Sequence, residues 1–439
     1  MNRQVAMPAL LQKALPLART VLSRGLGAVS QLVLAWVVAR QLPKSDAGEV
    51  LFYLTCFTVA SPLVLLGTNQ FAMRELSQFD RVTSATRTRS CDLIRVHGRA
   101  ILISALLLLP IAVGMDLQWW GPASIDFFVG KGVLLATASL IAGVAIAVSG
   151  HLHGVRRLAS SIFFSHSGIP TTTALIVVML QPTTAKSVIQ CHLAACATVA
   201  MIGITCWCWV IRPQSIPRFV PWATRVPRES FDFWWLNGCQ LIMNWSPIVI
   251  AGYFLATSEI AEVNLAQRAA NVMNFLLIVV SFTFAPTFRF LYAKGDFDGL
   301  QKTVTQCSNY LFAAGTLLLI VVLVTASTIM GSFGTDYRSG ASILVVYVIG
   351  QYVNVITGSV NQILTMCDHE RTLRNICFAS ATTSLILGLI LTAWLGPIGV
   401  AVATAIALTT QNVFAVLAVR RLLGFWAFSF RPSPAVGTG

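Results

Sequence analysis

The sequence predicts an all-α integral membrane protein with about twelve transmembrane helices, arranged as two six-helix lobes around a central cavity. Three observations predict this fold class: an apolar composition, twelve separate apolar stretches and an internal repeat. Hydrophobic residues make up 56% of the 439 residues, charged residues make up only 10%, and the mean hydropathy is +0.75. Because a soluble domain carries about 25% charged residues, most of this surface does not face water.

Twelve stretches are long and apolar enough, or nearly so, to cross a bilayer as helices of about 20 residues. They are 17–38, 50–69, 100–117, 127–149, 160–180, 188–211, 233–255, 263–284, 310–330, 343–364, 376–394 and 398–419. The first stretch is too long for the apolar part of a secretory signal, so it is interpreted as the first spanning helix. Only 395–397 separate the last two, which predicts a tight helical hairpin; a count of eleven helices is the alternative there.

The basic residues alternate regularly between the two sides of the predicted bundle. Lys and Arg accumulate in cytoplasmic loops, and this rule places both termini in the cytoplasm. The loops assigned to the inside carry Arg74, Arg81, Arg87, Arg89, Arg95, Arg99, Arg156, Arg157, Arg212, Arg218, Arg225, Arg228, Arg289, Lys294, Lys302, Arg371 and Arg374. The net charge of +14 therefore indicates topology and contact with anionic membrane lipid, and no nucleic-acid partner.

Ten cysteines are scattered along the chain, and their pattern predicts no metal site and no cofactor. Cys191, Cys196, Cys206 and Cys208 fall within one apolar stretch and offer no tetrahedral ligand set. The run 367–370 contains Cys, Asp, His and Glu, but four adjacent residues in a short connection rarely form a site alone. We interpret it as a solvated loop.

An internal repeat relates the two halves of the chain. Residues 42–72 align without gaps on residues 255–285, and both segments contain a polar Leu-x-x-Ser-acidic-x-x-Glu-Val turn. Because the offset spans six helices, both copies enter the membrane in the same sense. The predicted boundaries are an N-terminal lobe at 1–212, a basic cytoplasmic linker at 213–228, a C-terminal lobe at 229–424 and a cytoplasmic tail at 425–439.

Several short motifs resemble the multidrug/oligosaccharidyl-lipid/polysaccharide (MOP) flippase superfamily, in its Wzx-type polysaccharide or O-antigen branch. The segment 38–49 (VARQLPKSDAGE) is similar to the turn after the family's first helix, and 396–404 (GPIGVAVAT) is similar to the entry of its last. Leu66-Gly67, followed by Arg74, and the ending Arg420-Arg421 add to the likeness. The resemblance implies a flippase that moves a polyprenyl-pyrophosphate-linked oligosaccharide to the periplasmic leaflet.

Two arginines lie inside predicted spans, where ionisable side chains are costly and usually functional. They are Arg24 and Arg268, and snorkelling to the headgroups is the alternative for each. Amides at helical spacing accompany them, and hydrogen bonding between helices is the alternative for these. With the arginines, the candidate substrate-binding set is Arg24, Gln31, Asn237, Gln240, Asn244, Asn264, Arg268, Asn271, Gln351 and Asn354.

Guanidinium groups bind phosphate oxygens and amides pair with sugar hydroxyls, so this set suits a pyrophosphate-sugar headgroup. The resemblance implies that the headgroup belongs to a lipid-linked oligosaccharide of the undecaprenyl-pyrophosphate type in a bacterial inner membrane. The expected partners are that lipid, the surrounding membrane, and polysaccharide polymerase and glycosyltransferase machinery. The alternatives are a small-molecule exporter like the MATE transporters and a membrane-embedded polysaccharide polymerase or ligase. A polysaccharide polymerase or ligase usually has a long periplasmic loop, whereas the predicted periplasmic segments here are short, so we expect no enzymatic activity. No Asp or Glu lies deep in a predicted span, so the sequence does not support coupling of transport to protons through a buried carboxylate.

Overall fold

The computed structural model describes residues 9–79, 82–118, 129–213 and 225–427. Side chains are described from Gly25 onward, except those of residues 282, 283, 285 and 286. Every element within these ranges is helical, which confirms the all-α class. Most of the predicted linker 213–228 and of the tail 425–439 lies outside the described residues, so the domain boundaries stay a prediction.

The described residues of the first half form eight α-helices. They are α1 (Ala9–Gln41), α2 (Lys44–Leu63), α3 (Thr68–Leu76), α4 (Ser84–Asp116), α5 (Gly132–Gly154), α6 (Leu158–Ile162), α7 (Gly168–Leu180) and α8 (Ala185–Ile211). A π-helical segment, Phe163–Ser167, joins α6 to α7. The three pieces from α6 to α7 form one span with a widened turn in its middle.

Eight more α-helices occur within residues 225–427 of the second half. They are α9 (Arg228–Phe254), α10 (Thr257–Ala270), α11 (Val272–Ala293), α12 (Phe297–Phe333), α13 (Ala341–Ile356), α14 (Val360–Met366), α15 (Glu370–Leu395) and α16 (Pro397–Leu423). A 3₁₀ turn, Thr335–Gly340, precedes α13. The pairs α10–α11 and α13–α14 each supply one span.

Nine helical segments of the described chain are long and apolar enough to cross a membrane, and the pair α2–α3, bent by 51°, makes a tenth. The predicted stretches 17–38 and 233–255 lie in the remaining long helices, α1 and α9, the latter ending at Phe254. The fold therefore accounts for all twelve predicted stretches. Gly396, with a φ of 59°, separates α15 from α16, so the final hairpin consists of two helices.

One loop expectation is wrong, because the basic segment after the second span is helical. The predicted third span starts at residue 100, whereas α4 starts at Ser84 and is 33 residues long. Thr83 fixes this start: its hydroxyl accepts the N–H of Thr86, and its own N–H donates to the Thr86 hydroxyl, which is a capping box. A helix of this length spans about 50 Å, so its basic first turns extend beyond the bilayer.

The helix ends follow the internal repeat. Helix α1 ends at Gln41 and α9 at Phe254; α2 starts at Lys44 and α10 at Thr257; both pairs are 213 residues apart. The starts of α4 and α12 have the same separation. The copies differ in where the second span breaks, since α2 runs to Leu63 while α10 stops earlier in its own copy, at Ala270.

The two halves pack against each other mainly along α2 and α10, with further contacts of α2 and α3 with α9 and of α1 with α11. Helices α2 and α10 touch backbone to backbone, because a Cβ built on Gly48 would lie 1.7 Å from the carbonyl oxygen of Thr257. The large apolar side chains that remain exposed include Leu317, Ile320 and Val324 of α12. Exposure of this kind fits a lipid-facing surface. The halves diverge beside the α2–α10 contact and leave a cavity between them.

Candidate functional site

A polar cavity lies between the two halves, in two connected parts of about 200 and 330 Å³. Gln31, His166 and Arg268 line both parts, so the two are one continuous space. The first half contributes α1, α2, α5, the π-helical segment, α7 and α8 to the walls, and the second half contributes α9, α10 and α11. A π-helical turn often marks a functional site, and here it carries His166 to the cavity.

Arg268 lies where the cavity's two parts meet, in the last turn of α10. Its side chain is 6% exposed, and its guanidinium carbon is 5.9 Å from the centre of the Trp245 ring. The Nε and Nη2 atoms are buried and have no hydrogen-bond partner among the described residues. Donors of this kind are costly to leave unpaired, so the site is arranged to receive an acceptor.

The charge of the cavity is one-sided. Among the described residues that line it, Arg268 is the single permanently charged side chain, and none is an Asp or Glu. An unpaired guanidinium in a low-dielectric space attracts anions and repels cations. The described part of the cavity is therefore suited to an anionic ligand.

Amides surround the arginine on the side of the second half. Gln267 donates from Nε2 to the Asn244 carbonyl oxygen at 2.7 Å, and its own Oε1 is buried without a partner in the described chain. Asn244 and Asn271 both line the cavity. These groups supply donors and acceptors for hydroxyl-rich ligands.

A chain of hydrogen-bonded amides runs from the cavity wall into the second half. Gln351 donates to Asn271 at 3.1 Å, Asn354 donates to Gln351 at 3.5 Å, and Asn412 donates to Asn354 at 3.0 Å. The two inner members, Gln351 and Asn354, are buried. They hold Asn271 in place from behind and lie outside the cavity lining.

The remaining predicted residues are distributed differently. Asn264 of α10 is fully buried against α2, where its Oδ1 accepts a hydrogen bond from the Thr55 hydroxyl. It therefore forms a hydrogen bond between helices of the two halves, which was the alternative to substrate binding. Gln240 donates to the Cys377 sulfur at 3.0 Å and faces α15. Asn237 is half-buried and outside the cavity lining. Arg24 is in α1, but its side chain lies outside the described residues.

Two amide side chains of the lining were outside the predicted set, Gln267 and Asn274. Both are amide side chains close in sequence to Arg268, but their spacing from it did not place them on the same face of one straight helix. Gln267 directly precedes Arg268, and adjacent residues on a straight helix point in different directions. Gln267 and Arg268 nevertheless both line the cavity from the last turn of α10. The break between α10 and α11 after Ala270 changes the direction of the residues that follow it, and Asn274 of α11 reaches the same space.

An apolar crevice of about 380 Å³ adjoins the polar cavity. Leu32 and Val272 line both spaces, so no wall of other residues separates them. Apolar side chains of α1, α11 and α12 form the crevice, including the exposed Val33 and Val321. The crevice therefore opens toward the lipid-facing surface.

Solved structures with the same arrangement of helices decide the fold. An inward-facing multidrug-resistance MATE transporter of the MOP superfamily aligns with a TM-score of 0.71, covering 91% of this chain and 94% of its own, at 11% identity. The lipid II flippase MurJ in an inward closed conformation aligns at 0.62, covering 93% and 87%, at 14% identity. This protein has the MOP superfamily fold.

A third protein with the MOP fold, from Pyrococcus furiosus, aligns at a TM-score of 0.58 and 11% identity, covering 93% of this chain and 95% of its own. Its structure is described as having a binding pocket of reverse polarity that suggests a different function. Pocket charge thus varies on this fold. The cationic cavity described above is a property to be argued from this chain's own residues.

Among curated proteins, a probable flippase, AglR, of Haloferax volcanii is 28% identical over 193 residues. The match covers 42% of this chain and 40% of that relative, so it spans less than half of each protein. No family model matches the chain. The comparisons agree with the resemblance seen in the sequence at the level of the MOP superfamily, and the Wzx-type branch stays a prediction.

Proposed function

We propose that this protein is a flippase that moves a polyprenyl-pyrophosphate-linked oligosaccharide across a bacterial inner membrane by alternating access. The cargo is the repeat unit of an O-antigen, capsule or exopolysaccharide. The observation that carries the proposal is the unpaired guanidinium of Arg268 in an amide-lined cavity without a described carboxylate. The flippase relative and the MurJ fold point to the same class of activity.

The headgroup is matched by the cavity's charge and donors. A pyrophosphate offers several anionic oxygens to the two free N–H positions of Arg268, and charge-assisted bonds of this type are the stronger ones. The amides of Gln267, Asn244 and Asn271 are spaced to pair with sugar hydroxyls beside it. Trp245, already beside the guanidinium, offers a ring face on which a sugar can stack.

The lipid tail is matched by the apolar crevice. A polyprenyl chain remains in the hydrocarbon while its headgroup crosses, so the two need adjoining spaces of opposite polarity. The crevice between α1, α11 and α12 adjoins the cavity at Leu32 and Val272. In this proposal the tail lies in the crevice and leaves through the exposed side near Val33 and Val321.

The orientation follows from the charge pattern. Both termini and the basic ends of the helices are assigned to the cytoplasm, where the lipid-linked unit is assembled. Glycosyltransferases would supply the loaded lipid there, and a polymerase would take it on the opposite side. The protein itself needs no cofactor in this scheme, because transport changes no covalent bond.

The proposal is tested by exchanging Arg268 in cells that lack the chromosomal gene. Arg268→Ala is expected to lower export by about tenfold to a hundredfold, since a lost hydrogen bond to a charged group costs about 1.5–3 kcal/mol. The measurement is the amount of lipid-linked oligosaccharide retained in the cytoplasmic leaflet. Arg268→Lys is expected to retain more activity than Arg268→Ala, because lysine keeps the positive charge but lacks the planar guanidinium that donates two parallel hydrogen bonds.

Arg289→Ala is the matched control, since Arg289 lies in the same half but pairs with the exposed Asp368 at 2.7 Å. Normal export by a well-inserted Arg268→Ala protein would refute the assigned role of the arginine. If loss of the gene instead sensitised cells to cationic drugs without retained lipid-linked sugar, the MATE-like exporter would replace the flippase.

A further inference from the structure

Two side chains of α1 cap the end of α12, a helix of the other half. The last carbonyl groups of an α-helix have no partner within the helix. One of these in α12, the carbonyl of Ser332, accepts hydrogen bonds from the Trp36 indole Nε1 and from Arg40 Nε, both at 3.0 Å. The guanidinium charge also interacts favourably with the negative end of the helix dipole. Two bonds to a single carbonyl therefore join the halves between α1 and α12.

Trp36 and Arg40 act together in this contact. They lie four residues apart in α1, so they project from the same face, and the guanidinium carbon of Arg40 is 5.6 Å from the centre of the Trp36 ring. A cation at this distance is attracted to the ring face. Trp36 is 44% exposed, and an indole at a membrane surface has headgroups and water as alternative partners. The contact can therefore open without unpacking the buried core.

The contact lies at one end of the apolar crevice. Trp36 and Ser332 both line the crevice, together with Leu32, where the crevice adjoins the polar cavity. Trp36 follows Leu32 by four residues, which is about 6 Å along α1. Val33, on the exposed side of the crevice, lies between these two positions. The crevice thus runs from the cavity to the Trp36–Ser332 contact.

A second group of bonds fixes the connection that follows Ser332. Lys44 donates to the carbonyl oxygen of Asp336 at 2.9 Å, and the Ser339 hydroxyl donates to Glu262 at 2.6 Å. Lys44 also pairs with Glu262, which joins α2 to α10. These bonds close the bundle between α2 and α10, whereas those of Trp36 and Arg40 cross the gap between α1 and α12. Both closures lie at the end predicted to face the periplasm.

The path of a lipid-linked cargo crosses the contact between α1 and α12. In the proposed function the headgroup lies in the cavity and the tail in the crevice, so the covalent link between them passes Leu32. As the headgroup moves toward the predicted periplasmic end, this link follows it along the gap between α1 and α12. Trp36 and Arg40 bridge that gap at Ser332. A continuous chain does not pass a closed bridge, so these bonds must break before the cargo leaves.

We propose that Trp36, Arg40 and the Ser332 carbonyl form an exit latch, which opens to release a lipid-linked cargo sideways into the periplasmic leaflet and then closes again. The latch rests on the proposed function, because only a cargo with a lipid tail needs the gap between α1 and α12. An exit latch has two properties that a purely structural helix cap lacks. Its weakening favours the conformation that is open at this end, and its locking stops the release of cargo.

The first experiment measures how often this end is open and does not depend on the cargo. A cysteine in place of Ala28, which lines the cavity, is labelled in intact cells with a thiol reagent that does not cross the membrane, and labelling of the parent protein is subtracted. Trp36→Phe and Arg40→Gln are each expected to raise the labelling rate about threefold to tenfold, because the loss of one hydrogen bond shifts an equilibrium by about this factor. Trp394→Phe is the control, since Trp394 ends a helix on the same predicted side and is 81% exposed. Unchanged rates in both latch variants, or an equal rise in the control, overturn the proposal.

The second experiment locks the latch. In a Trp36→Cys/Ser332→Cys variant, a bifunctional methanethiosulfonate applied to intact cells links the two positions through disulfides, which a reducing agent then cleaves. The measurement is the lipid-linked oligosaccharide retained by cells in which this variant replaces the wild type. We expect retention to rise on linking to the level seen without the gene, and to fall again on reduction. The two single-cysteine variants are the controls and are expected to export throughout.

The latch and the proposed function fail in different ways. If cells without the gene retain no lipid-linked oligosaccharide, the flippase assignment is wrong, and the latch loses the cargo that it is proposed to release. If those cells retain it and the linked protein still exports, the latch is wrong and the flippase assignment stands. A block of export that persists after reduction also counts against the latch, because it does not depend on the closure of the gap.

Discussion

The two halves meet at opposite ends of the bundle through contacts of different kinds. At the end predicted to face the periplasm, Lys44 pairs with Glu262 and also donates to the Asp336 carbonyl at 2.9 Å. Arg40 of α1 donates to the Ser332 carbonyl at 3.0 Å. The side chains of Lys44 and Glu262 are 27% and 12% exposed, so this end is closed by a partly buried, charged cluster.

The end predicted to face the cytoplasm is closed by backbone proximity. Gly67 lies against Ser230, Trp234 donates to Leu63, and Arg74 packs its guanidinium 5.6 Å from the Phe233 ring. No ion pair joins the halves here among the described residues. The charged contact responds to the loss of one partner, whereas the backbone contact responds to added volume.

The largest effects are expected from added volume at glycines. A Cβ on Gly48 or Gly67 would overlap the backbone of the other half, and overpacking costs roughly 1–3 kcal/mol, with about 1–2 kcal/mol more for the left-handed backbone of Gly67. Gly48→Ala and Gly67→Ala are expected to lower the apparent melting temperature in detergent most.

Gly130→Ala is the matched control for the backbone conformation, because Gly130 has a φ of 72° and no atom of the described residues lies within 4 Å of its added Cβ. A Gly67→Ala protein as stable as Gly130→Ala would mean that the α3–α9 contact is looser than described.

A smaller effect is expected from Glu262→Gln. The ammonium of Lys44 then loses its partner in a partly desolvated place, at a cost of about 1–3 kcal/mol in the free energy of unfolding. Combination with Lys44→Met is expected to recover part of that loss, which a double-mutant cycle on thermal unfolding measures. Asp368→Asn, in an exposed pair, serves as the control with a cost of about 0–1 kcal/mol. Additive single effects would show that the cluster does not act as a pair.

The smallest effect is expected from Trp234→Phe, which removes one hydrogen bond to the Leu63 carbonyl and keeps the ring. The expected cost is about 1 kcal/mol, visible as faster amide exchange in segment 228–236. Trp235→Phe is the control, since Trp235 is 48% exposed and stacks on Phe378. Equal effects of the two substitutions would remove Trp234 from the contact.

The membrane class and the number of spans were predictable from the sequence, because burial in lipid imposes a length and an apolar composition on each span. The ends of the spans were less predictable. Helix α4 extends to Ser84 because Thr83 and Thr86 cap it locally, and hydropathy does not register a cap. The bend after Leu63 depends on positive φ angles at Leu66 and Gly67, which an apolar average also misses.

The candidate site was predictable for Arg268 and for the amides beside it, since a charged side chain in a span is expensive wherever it points. Which amides reach the cavity was not predictable. Asn264 shares the spacing of Arg268 yet lies buried between α2 and α10, because the partner helix, and not the period, decides what a face contacts. The rings of His97 in α4 and His151 in α5 lie 5.1 Å apart between centres, although the two residues are 54 positions apart in the chain, a separation at which a single sequence carries no signal.

Cys367 shows the same limit on a smaller scale. The run 367–370 was expected to be a solvated loop, and Asp368 is indeed exposed, but the Cys367 side chain is fully buried. Burial raises the pKa of its thiol to about 11. Because the thiol is buried, we expect it to react only slowly with maleimides in the folded protein, so labelling of this cysteine is a poor probe of which side of the membrane it lies on.

The constant separation of 213 residues between equivalent helix ends bears on how the two copies have diverged. Substitutions have replaced most side chains, and one span now bends at a different place, yet the distance between equivalent ends has stayed fixed from the first span of each half to the start of the third. Chain length has been more resistant to change than chemistry. The length of each connection in such a bundle is constrained, because one extra residue rotates the following helix by about 100°. That rotation would turn the polar face of the helix from the cavity into the lipid.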